Sequence, residues 1–144
     1  MGRAVASTGK VAALDLGEVR TGVAISDAGR TLARPVEIVP SGEIEAYLRM
    51  LAAEEDVAEV VVGVPKTMNG VVGFQARRVL SRIDALEDTL PGIRFVRWDE
   101  RLTTRIAAAT KGRRGGKKGE RRLDHLAAAG MLQEYLDGEA GGSS

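Results

Sequence analysis

Apolar and polar positions in the N-terminal part of the chain follow a strand-like pattern. The apolar run at 11–16 (VAALDL) precedes a Gly-containing turn, so we expect a buried strand there. A second strand is expected at 22–26, before the turn signal DAG. A third is expected at 31–39, interrupted by Pro35 near an edge or an irregularity. These segments predict an antiparallel meander of three strands.

Helical and strand-like segments then alternate along the rest of the chain. The Val-rich run at 57–65 is typical of a strand buried on both faces. Apolar residues at 70–90 recur every three or four positions, which predicts a helix. The expected order is a helix opening at Ser41, a strand at 57–65, a helix at 70–90, a strand at 93–98, a helix from Thr103 or Thr104 to about 110, and a helix at 123–136. This order predicts an α/β domain with a mixed five-stranded sheet flanked by helices.

The composition is that of an ordinary globular domain. The chain has 144 residues, 44% of them apolar and 28% charged, which suffices for one core. The absence of cysteine excludes disulfides and thiolate metal sites. No stretch is long enough to span a membrane, and residues 1–10 lack the apolar segment of a signal peptide, so we expect a cytoplasmic protein without a membrane partner. The domain is expected at 11–137, between a flexible N-terminus and a disordered tail at 138–144.

Positive charge is concentrated in one short segment, although the net charge of the chain is only +1. Seven of its 21 Lys and Arg residues lie there, opposed only by Glu120: Lys111, Arg113, Arg114, Lys117, Lys118, Arg121 and Arg122. The segment is rich in glycine, so we interpret it as a mobile arm that neutralises nucleic-acid phosphates; the alternative is a solvated loop without a partner. Lys66, between a strand and a helix, is also placed to contact a phosphate, unless it is simply an exposed lysine.

An acid interrupts the first apolar strand. Asp15 shares a face with Val11 and Ala13 by the alternation of a strand, which predicts partial burial. A buried carboxylate is costly unless it is paired, protonated or bound to a metal. A salt bridge to a nearby base such as Arg20 is the structural interpretation, and a catalytic or metal-binding role is the functional one.

Two further acidic positions are candidates for the same site. Asp99 and Glu100 directly follow the fifth strand, at the rim where open α/β sheets bind ligands, although an acid near a helix N-terminus also occurs in such a loop. Asp124 opens the last helix above an apolar face, where it is either a helix cap or an inward-pointing ligand. The three positions converge only if the last helix packs across the first strand. Oxygen ligands without cysteine favour Mg²⁺ or Mn²⁺, which can support phosphodiester hydrolysis.

Four motifs resemble one known family in order and spacing. LDLGEVRTGVAISD, GVPKTMNG, DERLTT and LDHLAAAGMLQEYL are similar to those of the YqgF family, also called RuvX, over about residues 11–137. The resemblance implies a ribonuclease H-like fold. It also implies that Asp15, Glu100 and Asp124 are the catalytic, metal-binding acids, with Asp99 as a substitute or helper for Glu100 and with Arg101 as a helper.

The resemblance implies a metal-dependent endonuclease that acts on structured nucleic acid. Processing of the 5′ end of the 16S ribosomal RNA precursor is favoured, and resolution of a branched DNA, the Holliday junction, is the runner-up. Junction resolution requires two coordinated cuts and hence a homodimer, whereas RNA trimming does not require more than a monomer. A non-catalytic RNA-binding assembly factor is a third reading, and an actin-like or sugar-kinase-like ATPase would need a second domain.

Aromatic residues and the single histidine carry less information. Aromatics are only 3% of the chain, which argues against a base-stacking platform for single strands. We expect Trp98 to belong to the core. His125 projects about 100° around the helix from Asp124, so we expect a surface or supporting role for it and not metal ligation.

Overall fold

The computed structural model describes residues 9–65, 70–99 and 117–142; for 70–72, 117–125 and 140–142 it describes the backbone alone. The predicted helix ending near 110 lies outside the described residues. The elements are β1 (Lys10–Leu16), β2 (Arg20–Ser26), β3 (Ala33–Pro40), a short 3₁₀ turn (Ser41–Glu43), α1 (Ile44–Glu54), β4 (Val57–Val64), α2 (Gly70–Thr89), β5 (Arg94–Asp99) and α3 (Lys117–Gly142).

The five strands form one mixed sheet in the order β3-β2-β1-β4-β5. β1, β2 and β3 are antiparallel, and β4 and β5 run parallel to β1, which confirms the predicted sheet. Pro35 lies on the edge strand β3, beside a shift of register between Val23 and Ala24. Proline has no N–H to donate to a ladder, and an irregular edge strand accommodates that loss.

The alternation of side chains along β1 divides the core into two faces. Ala12 and Leu14 face α1 and α2, and we refer to this side as the α2 face. Val11 and Ala13 face α3, and we refer to that side as the α3 face. Because both faces are covered, β1 and β4 are apolar in nearly every position, as the Val-rich sequence of β4 predicts. Trp98 packs on the α3 face, edge-on to Tyr135 at 5.7 Å between ring centroids, which confirms its core position.

The C-terminal helix is longer than the sequence pattern predicts. We expected it at 123–136 with a disordered tail from 138, whereas α3 continues as a helix to Gly142. Gly138 suggests a helix end, but a glycine inside a helix costs only about 1 kcal/mol relative to alanine. Glu139, beyond that glycine, contacts both the Tyr135 hydroxyl at 3.0 Å and Arg30 at 3.8 Å. These contacts account for the extra turn.

Contacts near its C-terminal end orient α3 along the sheet. Glu139 pairs with Arg30, whose Nε donates a 2.7 Å hydrogen bond to the Gly9 carbonyl just before β1. Ala128 and Leu132 belong to the apolar cluster of the α3 face, which also contains Val11 and Ala13 of β1. Going from Glu139 towards its N-terminus, the helix therefore passes from the start of β1 onto the apolar face of the sheet. Among the described residues, no helix is long and apolar enough to cross a membrane.

Candidate functional site

Asp15 lies where β1 emerges from the core. It is the penultimate residue of β1 and is half-buried. It continues the row of Val11 and Ala13 on the α3 face, in agreement with the predicted alternation. The carboxylate thus stands at the carboxyl edge of the sheet, the edge at which open α/β sheets bind ligands.

Glycines occupy the positions beside Asp15 on both neighbouring strands. Gly22 on β2 is its antiparallel partner. Leu14 pairs with Val62 on β4, so Gly63 is the next residue beside Asp15 on that side. Paired residues present their side chains on the same face, and a glycine has none. Neither of these two neighbouring positions therefore places a side chain directly beside that of Asp15.

A cleft of about 560 Å³ opens at this edge of the sheet. Asp15 and the turn after β1 form one wall, and Gly63 and Pro65 at the end of β4 form the floor. The opposite wall is α2, whose lining residues include one aromatic and three basic side chains: Phe74, Arg77, Arg78 and Arg82. The cleft thus has a strongly basic wall, and Asp15, whose side chain continues the α3 face, lies at its rim.

The turn between β1 and β2 is held by hydrogen bonds from a single serine. Ser41 Oγ donates to the Gly17 carbonyl at 2.7 Å and lies 2.8 Å from the Thr21 hydroxyl. Its carbonyl accepts a 2.5 Å bond from Arg82 Nη2 of α2. Gly17 itself cannot be replaced without movement, because a Cβ there would stand 2.4 Å from the Arg20 carbonyl oxygen. This wall of the cleft is therefore tightly defined.

An ion pair bridges the two walls. Arg78 of α2 contacts the carboxylate of Glu18 in the turn. Both side chains are exposed, Glu18 to 67% and Arg78 to 44%, so water screens the pair and its free energy is small. The pair links the turn after β1 to α2, and breaking it costs little free energy.

Asp99 belongs to the other face of the sheet. β5 extends to Asp99, which pairs with Val64 at the end of β4. Arg97, two residues earlier, points to the α2 face, where it binds Asp84 at 2.9 Å and Glu87 at 3.2 Å. Alternation places Asp99 on that same face.

The matches to known proteins decide the family. The model of the RuvX family, described as Holliday junction resolvase, matches residues 9–138. The chain belongs to the RuvX family. It is 58% identical over 131 residues to a candidate pre-16S rRNA nuclease from Rubrobacter xylanophilus, with 90% of this chain and 93% of that protein covered. A protein of the same name from Acetivibrio thermocellus is 37% identical, with 89% and 95% covered.

A solved structure confirms the ribonuclease H-like fold of this RuvX-family chain. RuvC of Thermus thermophilus, in complex with a Holliday junction substrate, superposes with a TM-score of 0.61 at 16% identity. The match covers 92% of this chain and 96% of RuvC. At this identity the likeness concerns the fold alone.

Several predicted site residues of this RuvX-family protein lie outside the described part of the chain: Lys66, Glu100, Arg101, Lys111, Arg113 and Arg114. Others lie on the N-terminal part of α3, where the backbone alone is described: Lys117, Lys118, Arg121, Arg122 and Asp124. The basic segment is therefore in part helical, whereas the sequence predicts a mobile arm throughout. Glycine at 119 does not end the helix.

The donor set is consistent with a hard cation, although the described residues hold only part of it. Among them, no group of three or more His, Asp or Glu side chains is arranged around one point. Asp15 supplies carboxylate oxygens at the carboxyl edge of the sheet. Oxygen donors of this kind suit Mg²⁺ or Mn²⁺.

Sequence reasoning missed the basic wall of the cleft. Arg77, Arg78 and Arg82 lie on the polar side of α2, and the apolar stripe that predicts this helix does not indicate them. The available signal was the spacing of one, four and five residues among three arginines, with no acid before Asp84 on this helix. Such spacing places the arginines on one side of a helix.

Proposed function

We propose that this RuvX-family protein is a metal-dependent endonuclease that hydrolyses phosphodiester bonds in structured nucleic acid. The 5′ end of the 16S ribosomal RNA precursor is the favoured substrate. The observation that carries the proposal is the position of Asp15, a half-buried carboxylate between two glycine positions, at the edge of a cleft with an arginine wall. The names of its relatives support the choice of RNA.

Asp15 is proposed to share a divalent cation, Mg²⁺ or Mn²⁺, with Glu100 and Asp124. When bound, such cations activate a water molecule and stabilise the leaving oxygen in phosphodiester hydrolysis. Asp15, on a central strand, provides the rigid member of the ligand set. Asp124 lies four residues before Ala128, which packs on the α3 face, and this spacing places the two residues on the same side of the helix.

Glu100 is preferred to Asp99 as the second ligand. Asp99 shares the α2 face with Arg97, whereas a strand continued by one residue would present Glu100 on the face of Asp15. Arg101 is proposed to stabilise charge that develops on the phosphate. The basic residues of the 111–122 segment and Lys66 are proposed to hold flanking phosphates.

Resolution of Holliday junctions is the second candidate. The description of the matching family supports it. Two coordinated cuts would require a homodimer, whereas a monomer suffices to trim an RNA end. The RNA reaction is proposed to take place in the cytoplasm. The absence of cysteine, and hence of disulfides, is compatible with that compartment.

The test is cleavage of two labelled substrates, a 16S precursor 5′ fragment and a four-way DNA junction. Each is incubated with Mg²⁺, Mn²⁺ or EDTA and with wild-type protein or Asp15→Asn. Asp56→Asn is the matched control: Asp56 is an exposed acid before β4, at the opposite edge of the sheet, and its positive φ of 59° suits asparagine.

Metal-dependent cutting of the RNA, lost in Asp15→Asn and kept in Asp56→Asn, is the expected result. Symmetric cutting of the junction alone would replace the favoured substrate by the second candidate. Folded wild-type protein that cuts neither substrate with either metal would contradict the proposed activity.

A further inference from the structure

The first half of α2 presents a one-sided basic surface to the cleft. Phe74, Arg78 and Arg82 are spaced by four residues and Arg77 lies beside them, so all four lie along one side of the helix. The acids of α2 come later, where Asp84 and Glu87 bind Arg97. The residues that line the cleft therefore include three arginines and two acids, Asp15 and Glu18.

Each of these arginines has a weak or replaceable partner in the described part of the chain. Arg78 pairs with exposed Glu18. Arg77 lies over the ring of Phe74, with its Cζ 6.0 Å from the ring centroid, and Phe74 is itself 57% exposed. Arg82 donates to the Ser41 carbonyl, which is a neutral partner. None of these contacts cancels the positive charge of the wall as a buried ion pair would.

The Glu18 carboxylate occupies the place that a phosphate would take on Arg78. A guanidinium binds a carboxylate and a phosphate with the same forked geometry. An exposed ion pair contributes little free energy, so an incoming phosphate can exchange with the carboxylate. A cleft of about 560 Å³ is within the range of ligand-binding sites.

We propose that the cleft binds the phosphodiester backbone of the strand to be cut, with Arg77 and Arg78 contacting phosphates next to Asp15. Glu18 is an internal competitor that occupies Arg78 until a phosphate displaces it. The inference rests on the proposed function for what happens at Asp15, whereas binding in the cleft is measurable without cleavage. It adds a phosphate-contacting wall that is independent of the basic 111–122 segment.

The two partners of the ion pair therefore have opposite effects on binding. Glu18→Gln removes the competitor and one negative charge, so the RNA should bind about two- to fivefold more tightly, the value of one exposed ion pair. Arg78→Gln removes a charge-assisted contact, so binding of the RNA should weaken by about tenfold. The slope of the logarithm of affinity against the logarithm of salt concentration should become shallower by the amount expected for about one phosphate contact. In a protein that already carries Arg78→Gln, adding Glu18→Gln should tighten binding less than Glu18→Gln does alone, because only the long-range effect of removing one negative charge remains.

The experiment is fluorescence anisotropy of a labelled 16S precursor 5′ fragment with the full chain in EDTA, where the proposed cleavage cannot proceed. The matched controls are Glu45→Gln and Arg49→Gln, which break an exposed ion pair of 2.6 Å on α1, away from the cleft. Thermal unfolding of each variant verifies that it is folded.

Tighter binding by Glu18→Gln together with weaker binding by Arg78→Gln, with both control variants near wild type, is the expected result. Unchanged or weaker binding by Glu18→Gln would overturn the role of Glu18 as a competitor of the phosphate. Unchanged binding by Arg78→Gln would overturn the proposal that the arginine wall contacts the RNA. Because these affinities are measured without metal, a failed cleavage experiment with Asp15→Asn leaves them intact and is read separately.

Discussion

Tyr135 of α3 donates its hydroxyl hydrogen bond to the buried carboxylate of Glu59 on β4. Arg30 completes the arrangement with a 3.1 Å ion pair to the same carboxylate. Glu59 is only 4% exposed, and a buried carboxylate is tolerated because both of its oxygens have partners. The contact attaches the C-terminal half of α3 to the sheet.

Tyr135→Phe should destabilise the protein by about 1–3 kcal/mol, because Glu59 loses one of its two partners while it remains buried. The measurement is urea unfolding, in which the midpoint should fall and the slope should stay unchanged. Tyr47→Phe is the control, since Tyr47 hydrogen-bonds to Glu37 on the exposed edge strand. Equal losses in the two variants would contradict a special role for the buried pair.

Tyr135 also predicts how stability depends on alkaline pH. Burial, and then the neighbouring Glu59 carboxylate, raise the pKa of Tyr135 in the folded protein. The unfolded chain releases this proton near pH 10. The stabilisation is therefore complete below about pH 10 and is lost as the pH rises above that value.

Unfolding free energies measured at pH 8 and at increasing pH above 10 test this dependence. Tyr135→Phe should show a shallower decline than wild type, because it has no hydroxyl to ionise. The pKa of Tyr47 is also raised, chiefly by burial, so ionisation of Tyr47 should likewise lower stability at alkaline pH. Tyr47→Phe is therefore measured alongside Tyr135→Phe for comparison. Parallel curves for wild type and Tyr135→Phe would refute the assignment.

The mixed sheet and its three antiparallel strands could be predicted from sequence, because local pattern and chain connectivity determine them together, whereas the order of the strands across the sheet was not predicted. The edge position of Pro35 followed from its missing N–H, and the burial of β4 followed from its run of valines. The end of α3 did not follow. Gly138 suggests a helix terminus, but the contact of Glu139 with Arg30, more than a hundred residues away in sequence, outweighs that local preference.

Small side chains between α3 and the sheet permit their close approach, so enlarging one of them should disturb the site. Ala128 is fully buried against a surface that includes Ala13 and Ala24. Ala128→Leu should cost about 1–3 kcal/mol through overpacking. It should also reduce cleavage, because the helix that carries Asp124 is displaced from β1.

Ala127→Leu is the matched control, since Ala127 is only partly buried and is not part of that packed surface. It should change both stability and cleavage much less than Ala128→Leu. The two readouts are unfolding by urea and cleavage of the labelled RNA at a temperature at which every variant is folded. Comparable effects of the two substitutions would show that the contact of α3 with β1 does not position the site.

The sequence alone could not separate Asp99 from Glu100 as the proposed ligand, because the faces of adjacent acids at a strand end cannot be assigned until that end is known. The same limit applied to Arg77 and Arg78, since polar residues on a helix look alike whether they face water or a cleft. The continuation of β5 to Asp99 and the ion pairs of Arg97 supply the missing alternation.

Glu100→Gln should therefore lower metal-dependent cleavage far more than Asp99→Asn. Removal of a proposed ligand should cost more than about 100-fold, since loss of the groups that merely support a ligand costs 10–100-fold. Asp99→Asn should stay close to wild type, because its side chain lies on the opposite face of the sheet from Asp15. Single-turnover cleavage is measured over a range of Mn²⁺ concentrations, so that weakened metal binding appears as a shift of the midpoint. If Asp99→Asn instead lost more cleavage activity than Glu100→Gln and shifted the Mn²⁺ midpoint, the ligand role would belong to Asp99. In that case β5 would have to end before Asp99 when the metal binds.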